Sequence, residues 1–162
     1  MQRDVKAILD GGLGGAVGTV GMSAFMLAAG KAGLMGEHPP DMIAGAALDA
    51  VGVQQRDKGT QDALATLLHF GFGIGSGALF GLLHRRLPFR VPAALHGMIF
   101  ASLIWVTSYQ GWIPALGIMP PASADRPDRP RIMLLAHLIY GALLGGIVAR
   151  RDGEETETET DR

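Results

Sequence analysis

Polar and apolar positions are not interleaved along this chain; they fall in separate blocks. Between Ala7 and Gly30 the one charged residue is Asp10, and none occurs from Ala63 to Leu83, Val91 to Ala124 or Ile132 to Ala149. A helix rises about 1.5 Å per residue, so about 20 residues cross ~30 Å of hydrocarbon. The blocks therefore predict four transmembrane helices, near residues 7–30, 63–83, 93–113 and 132–149. Proline agrees: residues 39, 40, 88, 92, 114, 120, 121, 127 and 130 all lie outside these spans or at their edges. Pro92 stands where a first-turn proline is harmless, because its missing N–H has no helical partner there.

The expected fold class is all-α, a four-transmembrane-helix bundle with a short amphipathic surface helix in the first outer loop. Pro39, Pro40 and Asp41 make a good helix start, and Ile43, Ala46, Ala47, Ala50 and Val51 then share a face. Such a helix lies on the outer membrane surface or closes over an outward-facing cavity. The proline-rich segment 114–131 reads as an exposed linker. The membrane domain is expected over 1–151, followed by an acidic, low-complexity, disordered tail over 152–162.

Lysine and arginine orient the spans. Arg3 and Lys6 precede the first, Arg85, Arg86 and Arg90 crowd the second connection, and Arg150 and Arg151 follow the fourth. The other connections hold Lys31, Arg56 and Lys58, then Arg126, Arg129 and Arg131, diluted over longer segments. Both termini are expected in the cytoplasm and the protein in the cell (inner) membrane. The first span is long, glycine-rich and carries Asp10, so it is expected as a retained helix rather than a cleaved signal peptide.

Composition sharpens the picture in two ways. Only 18% of residues are charged, against about a quarter in soluble domains. That argues against a basic nucleic-acid binder and against a soluble enzyme. The absence of cysteine excludes disulfides, thiolate metal sites and cysteine nucleophiles. Glycine, with 24 residues, is in large excess. Small residues four apart let membrane helices approach closely, and they recur as Gly11/Gly15, Gly14/Gly18, Gly73/Gly77/Gly81 and Gly141/Gly145. Gly71 and Gly75 form a second small face on span two, which predicts that this helix is central, between two neighbours or between two subunits.

Three histidines fall within spans: His69, His96 and His137. With Asp10 they form the candidate intramembrane polar site, because ionisable groups in spans face the interior or a cavity. His69 and His137 are expected at one depth, each heading a glycine stripe: His69-x3-Gly73-x3-Gly77 and His137-x3-Gly141-x3-Gly145. The match suggests a duplicated two-helix unit. His96 is expected near the inner surface, level with Asp10 and His84. The favoured role for the histidines is hydrogen bonding across helix interfaces. The alternatives are a proton or substrate path, axial ligation of haem b by His69 and His137, and a divalent metal helped by Glu37 or His38. No catalytic motif or phosphate loop is present. Tyr109, Trp112 and Trp105 are assigned to an outer aromatic belt.

The run Gly-Gly-Leu-Gly-Gly-Ala-Val-Gly-Thr-Val-Gly-Met-Ser-Ala-Phe-Met, the Gly-Glu-His-Pro-Pro turn and the Leu-Leu-His-Phe-Gly-Phe-Gly helix resemble small uncharacterised prokaryotic membrane proteins. These are loosely grouped with the YagU-like inner-membrane family. The resemblance covers most of the chain to about residue 150 and implies four spans; it brings no activity, cofactor or site residue. The expected function is a non-enzymatic structural or accessory membrane bundle that self-associates or binds a membrane-protein partner, without cofactor, metal or nucleic acid. The alternatives are a small transporter or channel subunit with a histidine proton path, and a bis-histidine haem protein.

Overall fold

The computed structural model describes residues 1–53, 57–86 and 91–160, with side chains as far as Gly153. Among them the regular structure is entirely helical. The helices are α1 (Gln2–Lys31), α2 (Pro39–Ala50), α3 (Lys58–Arg86), α4 (Ala93–Thr107), a π-helical segment (Ser108–Trp112), α5 (Ile113–Ala115) and α6 (Arg129–Thr160). Three of them, α1, α3 and the Arg129–Gly153 part of α6, are long and apolar enough to cross a membrane.

Local chemistry explains most boundaries. Asp4 sits in the first turn of α1 and Lys31 in its last, each favourable to the helix dipole. Gly33 and Gly36 then take positive φ angles, +76° and +69°, which turn the chain back. His38 is extended and Pro39 opens α2, as the Pro-Pro-Asp sequence leads one to expect. Asp57 caps α3, accepting from the Thr60 backbone N–H at 2.9 Å and from its hydroxyl at 2.6 Å. Those two bonds, the side-chain one first, hold the Asp57 carboxyl below its usual range.

The expected third span departs from a single α-helix. The α-helical ladder stops at Thr107, and Gly111 leaves helical geometry at φ −108°, ψ −105°. Pro114 has no N–H to give the Gln110 carbonyl, so the ladder cannot close across it and widens into a π turn. Beyond the kink at Gly111 helical geometry resumes, so α4, the π segment and α5 follow one another over residues 93–115.

The long helices pack in the order α3, α1, α6, α4. Glycines bring the backbones into contact. A methyl group at Gly11 or Gly15 would strike the carbonyl oxygens of Gly77 or Gly73, and one at Gly81 would strike that of Ala7. Gly14 and Gly18 lie about 60° further round α1 and meet Leu144 and Tyr140 of α6. On the other side of α6, Gly141 and Gly145 meet Gly97 and Ala93 of α4. Two antiparallel pairs, α1 with α3 and α4 with α6, are thus closed by equivalent glycine contacts and joined through α1 and α6. This is the arrangement that the repeated His-x3-Gly-x3-Gly pattern suggested.

One expectation is corrected. Within a single chain the place between two neighbours belongs to α1 and α6, not to the second span. Gly71 and Gly75 of α3 meet nothing within 4 Å, because one neighbour, α1, satisfies the Gly73/Gly77/Gly81 stripe and α3 lies at the edge. Two further differences concern the connections. In α2 Ala44 and Gly45 are buried most deeply and Ile43 of the expected apolar face packs beside them against the core, and Met35 before the helix is wholly buried. Segment 114–131 is not a free linker: Met119 and Arg129 are buried, and Arg129 Nε donates to the Met35 carbonyl at 2.9 Å. As to the acidic tail, the α6 backbone continues to Thr160, and the side chains of 154–162 lie outside the described residues, as do Arg56 and Arg90.

The glycine contacts make a prediction. At Gly77 an added methyl would lie 2.7 Å from Gly15 Cα and 2.8 Å from Gly15 N, backbone atoms with nowhere to go. Gly77→Ala should cost about 1–3 kcal/mol, read as a lowered thermal midpoint in detergent. Gly71→Ala, on open space, should be neutral or stabilise by up to about 1 kcal/mol through helix propensity.

Candidate functional site

α3 and α4 touch sparingly. Phe80 meets Phe100 at 5.4 Å between ring centroids, and one turn further inward His84 meets His96 at 5.1 Å. Toward the other end the two helices diverge, and a cavity of about 530 Å³ opens between them. Thr19, Met22 and Met26 of α1 and Met133, His137 and Tyr140 of α6 form its back wall. From α3 come His69, Phe72 and Ser76, and from the α4 side Ile104, Trp105 and Tyr109. Pro39, Pro40 and Ile43 of α2 roof it, so α2 covers a cavity and does not lie free on the surface.

The structure brings His69 and His137 to this one cavity, as their common depth required. Neither is fixed in the expected way, by a bond to a neighbouring helix. His137 Nδ1 donates to the Met133 carbonyl of its own helix at 2.7 Å, which leaves Nε2 as the acceptor in the neutral ring. His69 Nε2 is buried with no hydrogen-bond partner, and Trp105 Nε1 on the opposite wall is in the same condition. At the cavity a bond between helices comes from Tyr140, whose hydroxyl donates to the Gly73 carbonyl at 2.6 Å and ties α6 to α3 behind it.

The other two candidates lie elsewhere. His96 is buried, and its Nδ1 is 3.0 Å from Nδ1 of His84, so one ring donates and the other accepts. Asp10 is 5% exposed and accepts from Lys6 Nζ at 2.7 Å and from Arg151 Nε at 3.0 Å. Arg86 lies 3.8 Å from Asp4, and Arg85 donates to the Arg3 carbonyl. The sequence-derived site therefore resolves into three: His69 and His137 on the cavity, His84 with His96, and Asp10 held by Lys6 and, across to α6, by Arg151.

Four contributors escaped the sequence reading. Tyr109, assigned to an aromatic belt, is 1% exposed and stacks on Trp105 at 5.8 Å. Its hydroxyl donates to Asp125, whose carboxylate lies 3.3 Å from Arg129 Nη1. Tyr140 was overlooked altogether. One signal was present: Trp105 and Tyr109 are four apart, the spacing that puts two residues on one helical face, whereas Asp125 lies in the bend before α6 and reaches Arg129 from outside the helix. What the sequence does not carry is that these two pairs meet.

Among the described residues the cavity lining contains no Lys or Arg to pair with haem propionates. Among the described residues no group of three His, Cys, Asp or Glu could hold a metal ion. His38, a possible third ligand, packs against Gly30 at the end of α1.

The outer wall yields a prediction. The side chain of Asp125 is 4% exposed, and Arg129→Met would leave its charge uncompensated. A loss of about 3–5 kcal/mol is expected, measured by thermal unfolding in detergent; Asp125→Asn in the same chain should restore part of it.

A family model described as a family of unknown function (DUF6789) matches residues 5–159. No curated protein and no solved structure matches the chain.

Proposed function

We propose a function for a chain that belongs to this family of unknown function over nearly its whole length: it is a four-span protein of the cell inner membrane with both termini cytoplasmic, acting as a non-enzymatic structural or accessory bundle. The YagU-like resemblance implies the four spans and brings no activity. The observation that carries it is an inversion of the usual burial pattern. The glycines of the helix interfaces, such as Gly11, Gly15, Gly73, Gly77, Gly141 and Gly145, are buried, while Leu9, Leu13, Val20, Leu67, Phe72, Leu79, Ile99, Leu103 and Leu135 are exposed. Only 22% of the most apolar stretch of α3 is buried. Water would disfavour that surface by roughly 25 cal/mol per Å², whereas lipid matches it.

The fourth span is the helical run 93–115. Its length, about 34 Å at 1.5 Å per residue, suffices for the hydrocarbon core despite the π turn. Orientation rests on the charged layer of Lys6, Arg85, Arg86 and Arg151 at one end of α1, α3 and α6. The competing arginines at the other end are engaged locally: Arg129 with Asp125 and Met35, and Arg126 with the Gly33 carbonyl at 3.2 Å. Self-association would use the edge of the row, where Gly71 and Gly75 leave a shallow, unfilled face on α3.

The chain lacks cysteine, which makes single-cysteine tests direct. The protein should stay in the membrane pellet after alkaline carbonate. Cysteines at 34 and 117 should react with an impermeant maleimide in intact cells, and cysteines at 3 and 153 only after permeabilisation; labelling of all four from outside contradicts the topology. Gly75→Cys should form a disulfide-linked dimer on oxidation in native membranes, and a persistent monomer there argues against self-association through this face.

A second reading, proton-coupled transport, is favoured by one feature: histidine pairs lie at both levels, His69 with His137 and His84 with His96. Between them Phe80, 2% exposed, and Phe100 close the route, so transport requires these rings to move. That reading expects a pH-dependent flux in liposomes, lost in His69→Ala and in His137→Ala.

A further inference from the structure

The cavity between α3 and α4 is more selective chemically than its size alone would make it. At about 530 Å³ it falls within the range of small-molecule sites. Among the described residues its lining includes no Asp, Glu, Lys or Arg, so an anionic or cationic group would find no counter-charge among them and would carry its desolvation cost. Within these mostly apolar walls stand two buried nitrogens without partners, His69 Nε2 and Trp105 Nε1. Buried polar atoms are nearly always paired, and an orphan calls for an explanation such as an unseen ligand. The indole nitrogen can only donate, so its complement is an acceptor. Imidazole Nε2 donates to the same kind of group in the tautomer that carries its proton there.

We propose that this cavity binds a neutral, membrane-soluble molecule bearing a carbonyl oxygen. The carbonyl accepts hydrogen bonds from Trp105 Nε1 and His69 Nε2. The apolar body lies against Met22, Met26, Phe72 and Met133, three of them unbranched thioethers that adapt to irregular shapes. Entry is sideways from the bilayer, where α3 and α4 diverge beyond Phe80 and Phe100, with α2 as the roof. The inference rests on the membrane reading above. Two sources present the required chemistry, an ester-linked lipid and a free isoprenoid quinone, and the experiment separates them.

The chain's two tryptophans, Trp105 and Trp112, both line the cavity, so intrinsic emission reports its occupancy. The protein is taken up in dodecyl maltoside, which has no carbonyl, and moved to nanodiscs of ether-linked or ester-linked phosphatidylcholine. A decyl-substituted benzoquinone is then titrated in. In ether-lipid discs saturable quenching is expected, with affinity at least about fivefold weaker in Trp105→Phe and in His69→Phe, as befits loss of one buried hydrogen bond. If an ester lipid is the occupant, the quinone titration shifts to higher concentration in ester-lipid discs. Native mass spectrometry then retains ester lipid but not ether lipid. If a free quinone is the occupant, the two discs give one affinity.

Quenching that rises without saturation in ether-lipid discs, together with no retained ester lipid, overturns the proposal. So does saturable binding that neither variant weakens. Trp105→Phe keeps an aromatic ring against Tyr109; should either variant fail to fold, the wild-type titration and mass spectrum still decide. Recovery of the protein in the soluble fraction without detergent, before any ligand is added, overturns the membrane reading instead.

Discussion

Backbone contact at glycine is the constraint on which the rest of this structure depends. Where Gly11 and Gly15 face Gly73 and Gly77, and where Gly97 faces Gly141 and Gly145, one side chain of any size would hold the helices apart. Close approach multiplies dispersion contacts between main chains. It also dictates where bulk must go. With glycine between the helices, leucine, isoleucine and phenylalanine are turned outward, and the exterior becomes the more hydrophobic surface.

The pairing has a consequence for the cavity. Each two-helix unit is tightly closed, and the units join through α1 and α6, so α3 and α4 are the ends of the row. Among the described residues Phe80 meets Phe100 and His84 meets His96 where the two come together. Away from that contact no glycine stripe draws them in, and bulky residues on both sides keep the space open. The cavity is thus what remains when four helices are held by three tight interfaces. Its back wall is firm, tied by Tyr140 to the Gly73 carbonyl and by the Thr19 hydroxyl to that of Gly15 at 2.7 Å. Its outer edge is held by Tyr109, Asp125 and Arg129. The two histidines brought there by the repeated pattern sit on a prepared surface, and the unpaired nitrogens of His69 and Trp105 give that surface its direction.

The charged residues follow a complementary logic. Asp10 stands near the beginning of a span and is tolerated because Lys6, one turn earlier, and Arg151, from the far end of α6, neutralise it. That pairing crosses between α1 and α6 at the interface joining the two units, so a costly buried carboxylate also marks the register of the docking. At the opposite end Asp125 and Arg129 act alike. Removing either charged partner is costlier than never having had the pair.

Much of this was legible in the chain itself. Long uncharged blocks, bounded by prolines, specify helices of spanning length because both charge and proline are excluded by the same physics. Spacing of four located the glycine faces, since period and handedness follow from helix geometry alone. The common depth of His69 and His137 came from counting residues from the ends of their spans. Which face meets which neighbour is a different kind of fact. Gly71 and Gly75 carry the same local signal as Gly73 and Gly77, yet one pair is filled and the other empty, because the outcome depends on how many partners reach α3. Likewise Tyr109 and Asp125 are ordinary as a belt residue and a loop carboxylate until the π turn at Gly111 and the loop after α5 bring them together. Local rules assign a residue to a face; only the assembled helices decide whether that face becomes an interface, a cavity wall or the surface offered to lipid.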